Sequence, residues 1–160
     1  MDEQLLFDKY LLSAYRFLNY RLRSEKEVRE NLKLKKATSE VIEKVIAKLK
    51  SQRFVNDETF ARMWIESRSR SKPRSQFLLK NELRQKGISQ EILKDIFDDQ
   101  YPISKDVELA KDLVGREMNK YKGMGRDKIY QKLGGLLGRR GFSWEVSKRV
   151  IDEVINKEES

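Results

Sequence analysis

The densest run of cations is Arg68, Arg70, Lys72 and Arg74, spaced at intervals of two around Pro73. Guanidinium and ammonium groups hold phosphate or carboxylate and stay protonated at neutral pH. Arg139 and Arg140 are the next such pair, and at a helix end they suit either phosphate contact or free backbone carbonyls. The side chains that most often move protons, attack carbonyls or ligate zinc are missing, because the 160 residues include no histidine and no cysteine. Gly123-Met124-Gly125 with Lys128 has the look of a phosphate loop, but no strand precedes it and the nucleotide-loop spacing is absent, so it reads as a helix break. Asp95, Asp98 and Asp99 gather carboxylates beside Tyr101 and Pro102 without a further ligand at suitable spacing, which reads as a solvated helix end. No catalytic residue, cofactor or metal is therefore expected, and the chain is not read as an enzyme. Trp64, Trp144 and Tyr130 carry rings on which a base can stack. Trp64 shares an apolar stripe with Phe60 and is assigned to the core, whereas Trp144 follows a capping serine and fits either role. Tyr15 and Tyr20 flank a stripe and are expected to be half-buried.

These side chains sit on a basic chain with net charge +9 and a pI near 9.6, a balance that suits a polyanionic partner. Charged and hydrophobic residues each make up 38%, enough regular apolar content for a folded domain with a modest core. The opening MDEQLLFDKY has no basic stretch ahead of an apolar one, so no signal peptide is read. No uncharged stretch approaches the roughly 18 residues of a membrane helix. A cytoplasmic, monomeric protein with no membrane contact is expected.

The elements that must position the cations repeat three times. Ser24–Ile46 aligns with Ser75–Phe97 at an offset of 51, and that window aligns with Ile129–Ile151 at an offset of 54. Val28, Leu79 and Leu133 match, as do Leu32, Leu83 and Leu137, then Val41, Ile92 and Val146, then Val45, Ile96 and Val150. Thr38, Ser89 and Ser143 share one position, each able to cap the helix that follows. Gly87 and Gly141 match at the preceding turn, where glycine suits a left-handed helix end. Lys36 replaces that glycine in the first unit, so its turn must differ or be strained. Ser24 and Glu27 form a capping box, and Pro73 is placed just ahead of the middle unit's second helix.

An amphipathic segment precedes each window, so each unit is read as three helices: 5–22, 25–35 and 39–53, then 57–70, 74–86 and 90–99, then 105–121, 127–140 and 144–156. No segment alternates at period two, so no sheet is expected. The fold is all-α, three tandem three-helix repeats forming an elongated array, with units at 1–54, 55–100 and 101–160. FVND at 54–57 and DQYPIS at 99–104 are the expected junctions.

Charge is segregated within each unit. Residues 9–36 hold nine bases and three acids, and residues 62–86 and 116–140 each hold eight and two, so all three stretches carry +6. The third helices are neutral or acidic: residues 37–58 balance, 87–110 carry −4 and 141–160 carry −2. A pattern repeated three times points to one basic track suited to phosphate rather than three separately solvated faces. Its candidate contacts are Arg23, Arg29, Lys33, Arg68, Arg70, Lys72, Arg74, Lys80, Arg84, Lys86, Arg126, Lys128, Lys132, Arg139 and Arg140.

Phe60-Ala61, Ser67-Arg68-Ser69-Arg70, Pro73-Arg74 and Glu82-Leu83-Arg84-Gln85-Lys86-Gly87-Ile88, in that order, resemble the central signature of the RecX family. Arg23-Ser24-Glu25-Lys26-Glu27-Val28 resembles the opening of its first repeat, and Leu136-Leu137-Gly138-Arg139-Arg140-Gly141-Phe142-Ser143 its third. The resemblance runs from about Tyr10 to Ile155. It implies tandem three-helix units and a modulator that lodges in the groove of the RecA recombinase filament on single- or double-stranded DNA, inhibiting recombinase and ATPase activity, with no catalytic residues to carry over. Lys72 stands where many relatives have glycine, and Gly134-Gly135 loosen a helix that relatives keep tighter. Some relatives are longer, so the chain is compatible with a portion of a larger protein. The competing reading is a stand-alone DNA-binding array in which third helices read bases in the major groove; their neutral or acidic character argues against it.

Overall fold

The computed structural model describes residues 2–100 and 103–159. Of the expected junction at 99–104, Tyr101 and Pro102 lie outside the described residues, as does the side chain of Asp99, read above with Asp95 and Asp98 as part of a solvated helix end. The described residues are helical without strands: α1 (Glu3–Leu18), α2 (Glu25–Leu34), α3 (Ser39–Ser51), α4 (Asp57–Ser71), α5 (Gln76–Gln85), α6 (Gln90–Gln100), α7 (Ile103–Glu117), α8 (Arg126–Arg139) and α9 (Trp144–Glu159). A 3-10 turn, Met118–Tyr121, prolongs α7, and the chain then breaks at Gly123, whose φ is +86°, before Gly125 opens α8.

Two helix ends depart from the sequence reading for one reason. The reading extended α1 to residue 22, but it ends at Leu18, and α5 starts at Gln76 rather than 74. Ser24 and Ser75 act as N-caps, accepting from Glu27 N and Leu78 N at 3.2 Å each. A capping residue sits outside the helix in extended backbone, as Ser24 does at φ −74° and ψ 161°, so the residues before it leave the preceding helix. Pro73 accordingly lies outside the first turn of α5. The expected capping box is complete, with Glu27 accepting from Ser24 N at 3.0 Å.

The elbow between second and third helices is the same in every repeat. Ala37 N donates to Leu32 O, Ile88 N to Leu83 O and Phe142 N to Leu137 O, each at 3.0 Å, while Lys36, Gly87 and Gly141 close the inner bond. This is the Schellman ending, and it requires positive φ at its hinge: +83° at Gly87, +82° at Gly141 and +68° at Lys36. Lysine thus keeps the turn and bears the strain. Leu32, Leu83 and Leu137 are fully buried beneath these turns. Thr38, Ser89 and Ser143 then cap the third helices, at 3.3, 3.3 and 3.2 Å from the backbone N–H groups of Val41, Ile92 and Val146.

The chain divides into two compact units, Met1–Trp64 with Leu83–Ile92, and Ile65–Glu82 with Leu93–Ser160. In the first, α1, α2 and α3 bury Ala14, Val28, Leu32, Val45, Ile46 and Leu49. The FVND junction contributes Val55, which is part of that core. In the second, α7, α8 and α9 bury Ala110, Val114, Leu133, Leu137, Val150 and Ile151. Three of the four aligned apolar sets are buried throughout, whereas Val41 is buried but its counterparts Ile92 and Val146 are half-buried.

Each unit also holds one copy of the same docking contact between successive repeats. In the first, the α5 elbow lies against the start of α2, where Lys26 Nζ donates to Gln85 O at 3.0 Å. Asp57 accepts from Glu25 N at 2.9 Å, satisfying one of the free amides of the helix start. In the second, the α8 elbow lies against the start of α5: Ser75 N donates to Arg140 O at 3.0 Å and Ser75 Oγ to Gly141 O at 2.5 Å. Asp106 accepts from Gln76 N at 3.0 Å. Burial raises the carboxyls of Asp57 and Asp106, and these amide bonds partly offset it.

Glycine at the elbow serves both turn and dock. A Cβ on Gly87 would stand 2.6 Å from Lys26 Cβ, and one on Gly141 would stand 2.7 Å from Leu78 Cβ and from Ser75 Oγ. Gly87→Ala and Gly141→Ala should each cost about 2–4 kcal/mol in urea unfolding, from the left-handed backbone and the overlap together. Lys36→Gly should instead stabilise by about 1 kcal/mol. Equal effects at all three positions would refute the docked-elbow account.

Candidate nucleic-acid interface

Two carboxylates organise much of the cationic surface. In the first unit Glu27 accepts from Arg21 at 2.7 Å and from Lys86 at 2.9 Å, beyond its capping bond to Ser24. Burial pushes its carboxyl up, but the bonds from Arg21, Lys86 and the Ser24 backbone outweigh that and hold it below the ordinary glutamate range. Lys86 also lies 5.3 Å from the centre of the Trp64 ring, which stacks on Phe60. Trp64 is half-buried, an intermediate outcome for a residue assigned to the core.

In the second unit Glu82 on α5 pairs with Arg74 and lies 3.5 Å from Arg68 Nε at the end of α4. Arg140 reaches the same region through Pro73 O, to which its Nη1 donates at 3.2 Å. Burial lowers the Arg74 guanidinium, and the charges of Arg68 and Arg140 lower it further. The structure therefore brings Arg68 and Arg74 to one acid and sets Arg140, distant in sequence, near Arg74.

Other candidates are held one by one. Arg23 lies over the Phe17 ring at 4.0 Å, its Nε buried without a hydrogen bond among the described residues. Arg29 bridges Glu43 on α3, at 2.5 Å, and Glu25, at 3.3 Å, and the Glu43 bond raises its pKa. Arg70 pairs with Glu66 one turn back yet remains exposed. Lys80 stands 5.2 Å from the Phe97 ring. Arg126 reaches Asp152 and Glu159 on α9 at 4.0 and 3.8 Å. Arg84 is exposed. Lys33, Lys72, Lys128, Lys132 and Arg139 are exposed and make no ion pair among the described residues.

Sequence reasoning placed the cations on first and second helices but passed over Glu27 and Glu82. Glu27 was noted only as a capping residue, and no local signal marks Glu82 as the partner of two arginines. Of the aromatics weighed as base platforms, Trp144 is 73% exposed and Tyr130 is half-buried. Tyr15 is half-buried as expected, but Tyr20 is almost fully exposed at 85%. Among the described residues no cluster of acids suited to a metal ion occurs, and no helix is long and apolar enough to cross a membrane.

Fold and surface together define an all-α protein of tandem three-helix repeats that carries cations on its first and second helices. Three family models match in order: RecX, first three-helix domain, over residues 11–49; RecX, second three-helix domain, over 56–95; and RecX, third three-helix domain, over 104–151. The chain belongs to the RecX family. The regulatory protein RecX of Streptomyces coelicolor is 30% identical over 136 residues, covering 85% of this chain and 72% of that protein. The regulatory protein RecX of Bacillus subtilis is 30% identical over 141 residues, 88% of this chain and 53% of that one. The chain thus spans about half the length of the Bacillus relative. The crystal structure of RecX from Lactobacillus salivarius superposes with a TM-score of 0.79 at 25% identity, covering 92% of this chain and 96% of that one. The family resemblance and the three tandem three-helix repeats read from the sequence are both borne out.

The Glu27 network gives a pH-dependent signature. Because the folded-state pKa is depressed, its stabilisation is complete above the unfolded-state value and is lost as pH falls through the folded-state value. Glu27→Gln should cost about 1–3 kcal/mol at neutral pH in urea unfolding. The gap from the parent chain should close on acidification; a gap constant across that range would contradict the network.

Proposed function

We propose that this chain is a non-catalytic regulator that binds the RecA nucleoprotein filament and inhibits or modulates its recombinase and ATPase activity. It acts as a monomer in the cytoplasm, lodged in the filament groove with its basic side toward DNA. The observation that carries the reading is the surplus of exposed cations without acid partners among the described residues, Lys33, Lys72, Lys128, Lys132 and Arg139, contributed by all three repeats. All five stand in the stretches of +6 charge that end with each second helix. Family membership supplies the recombinase as partner. Acids of the third helices meet cations of the second helices, as Glu43 does Arg29 and Asp152 does Arg126, which suits contact with protein better than base reading by α3 or α9.

Arg68 and Arg74 are poor choices for a test by charge reversal, because a glutamate at either site would face Glu82 across a partly buried contact. Lys72 and Arg139 are exposed and make no ion pair among the described residues. The test follows ATP hydrolysis by RecA on single-stranded DNA after the chain is added to preformed filament. A dose-dependent fall at substoichiometric amounts is expected. Lys72→Glu with Arg139→Glu should need about tenfold more protein and reduce the salt slope of binding by about 2, with helicity unchanged. No effect on hydrolysis, alongside ordinary salt-sensitive binding to naked DNA, would favour a stand-alone DNA-binding helical-repeat protein instead.

A further inference from the structure

Arg68 and Arg74 share the Glu82 carboxylate, and Arg140 lies near enough for its charge to act on Arg74. Glu82 is the largely buried member, with a side chain 16% exposed, while Arg68 and Arg74 are 31% and 21% exposed. Solvent therefore reaches the guanidinium groups more readily than the acid that restrains them. A carboxylate between two guanidinium groups makes the same charge-assisted hydrogen bonds that a phosphodiester oxygen would make.

The internal repeat supplies a control. At the offset of 51, Arg74 corresponds to Arg23, Arg68 to Phe17 and Glu82 to Asn31. Arg23 rests on the Phe17 ring, and Asn31 Oδ1 is buried without a hydrogen bond among the described residues. In the third repeat the Glu82 position is Leu136, and α8 forms nonetheless. The second helix thus accommodates acid, amide or apolar side chain at this point. The acid accompanies the doubled arginine and is not a requirement of the three-helix repeat.

We propose that Glu82 is an internal stand-in for phosphate: it occupies the anion position that Arg68 and Arg74 share, beside Arg140, and sets how strongly this site takes a DNA backbone phosphate. Glu82 lowers the affinity of the site by competing for Arg68 and Arg74 and, in exchange, keeps both side chains ordered when no nucleic acid is bound. Neutralising it removes the acid that competes with phosphate for Arg68 and Arg74. The inference rests on the reading that the basic surface meets DNA, but it concerns one residue whose sign is opposite to that of its surroundings.

The test measures binding of a fluorescent oligothymidylate across a salt series for the parent chain, Glu82→Gln and Glu82→Asn, the last copying the first repeat. Both variants should bind about three- to tenfold tighter, with a salt slope steeper by about 1. Asn31→Glu, which gives Arg23 the partner that Arg74 has, should weaken binding. Unchanged or weaker binding by both Glu82 variants with helicity retained would overturn the proposal. Loss of helicity in both would overturn it as well, by showing that the fold requires the acid. RecA hydrolysis measured in parallel separates the two claims. Tighter oligonucleotide binding without any effect on the filament keeps the role of Glu82 and removes the filament reading; filament inhibition with unaltered oligonucleotide binding does the reverse.

Discussion

The structure depends on one close approach, that of a left-handed helix end to the first turn of the second helix one repeat earlier. The elbow must turn with positive φ to satisfy its own carbonyls, and it must lack a side chain to approach the neighbouring helix start. Gly87 and Gly141 meet both demands, with a notional Cβ 2.6 and 2.7 Å from its neighbour. Asp57 and Asp106 complete the contact by accepting from the first helical amides of α2 and α5. Lys36 meets only the first demand: it takes the positive φ, at +68°, while carrying a side chain.

This division explains what could be read from the residues in order. The elbow, the caps at Thr38, Ser89 and Ser143 and the Ser24–Glu27 box are local devices whose partners stand three to five residues apart. Each has a fixed residue signature, so each was legible. The same holds for Gly123, read as a break and found at φ +86°. The docking bonds were not legible. Asp57 and Glu25 stand 32 residues apart, and Ser75 and Gly141 66 apart. Aspartate at a helix start is common for dipole reasons alone, so nothing distinguishes a docking acid from an ordinary first-turn acid. The α1 end was misread on the same ground: periodicity continued beyond Leu18, while the need for extended chain ahead of Ser24 came from a cap one element away.

The cationic surface shows the limit of counting charges. Three stretches of +6 were plain in the sequence, yet the count cannot tell a guanidinium that holds the fold from one that faces solvent. Arg29 ties α2 to Glu43 on α3, and Arg126 ties α8 to acids on α9. Arg140 holds a backbone carbonyl at the docked elbow. Exposed lysines such as Lys33 and Lys128 have no such role among the described residues. Removing a cation of the first kind changes packing as well as charge, because it leaves an acid partner behind; removing one of the second kind changes charge alone.

The acids follow a complementary logic. Third helices are neutral or acidic, but some of their carboxylates are turned to neighbouring cations rather than to a uniform outer face. Glu43, Asp152, Glu153 and Glu159 each meet a cation on another helix. Segregation of charge along the chain thus becomes neutralisation across the bundle, and the net +9 is what remains after those pairings. A residual charge of this kind is carried disproportionately by exposed side chains that lack an acid within reach. It is therefore a better guide to a polyanion-binding surface than the composition of any one helix, and it explains how a chain with 26 acids keeps exposed cations in every repeat.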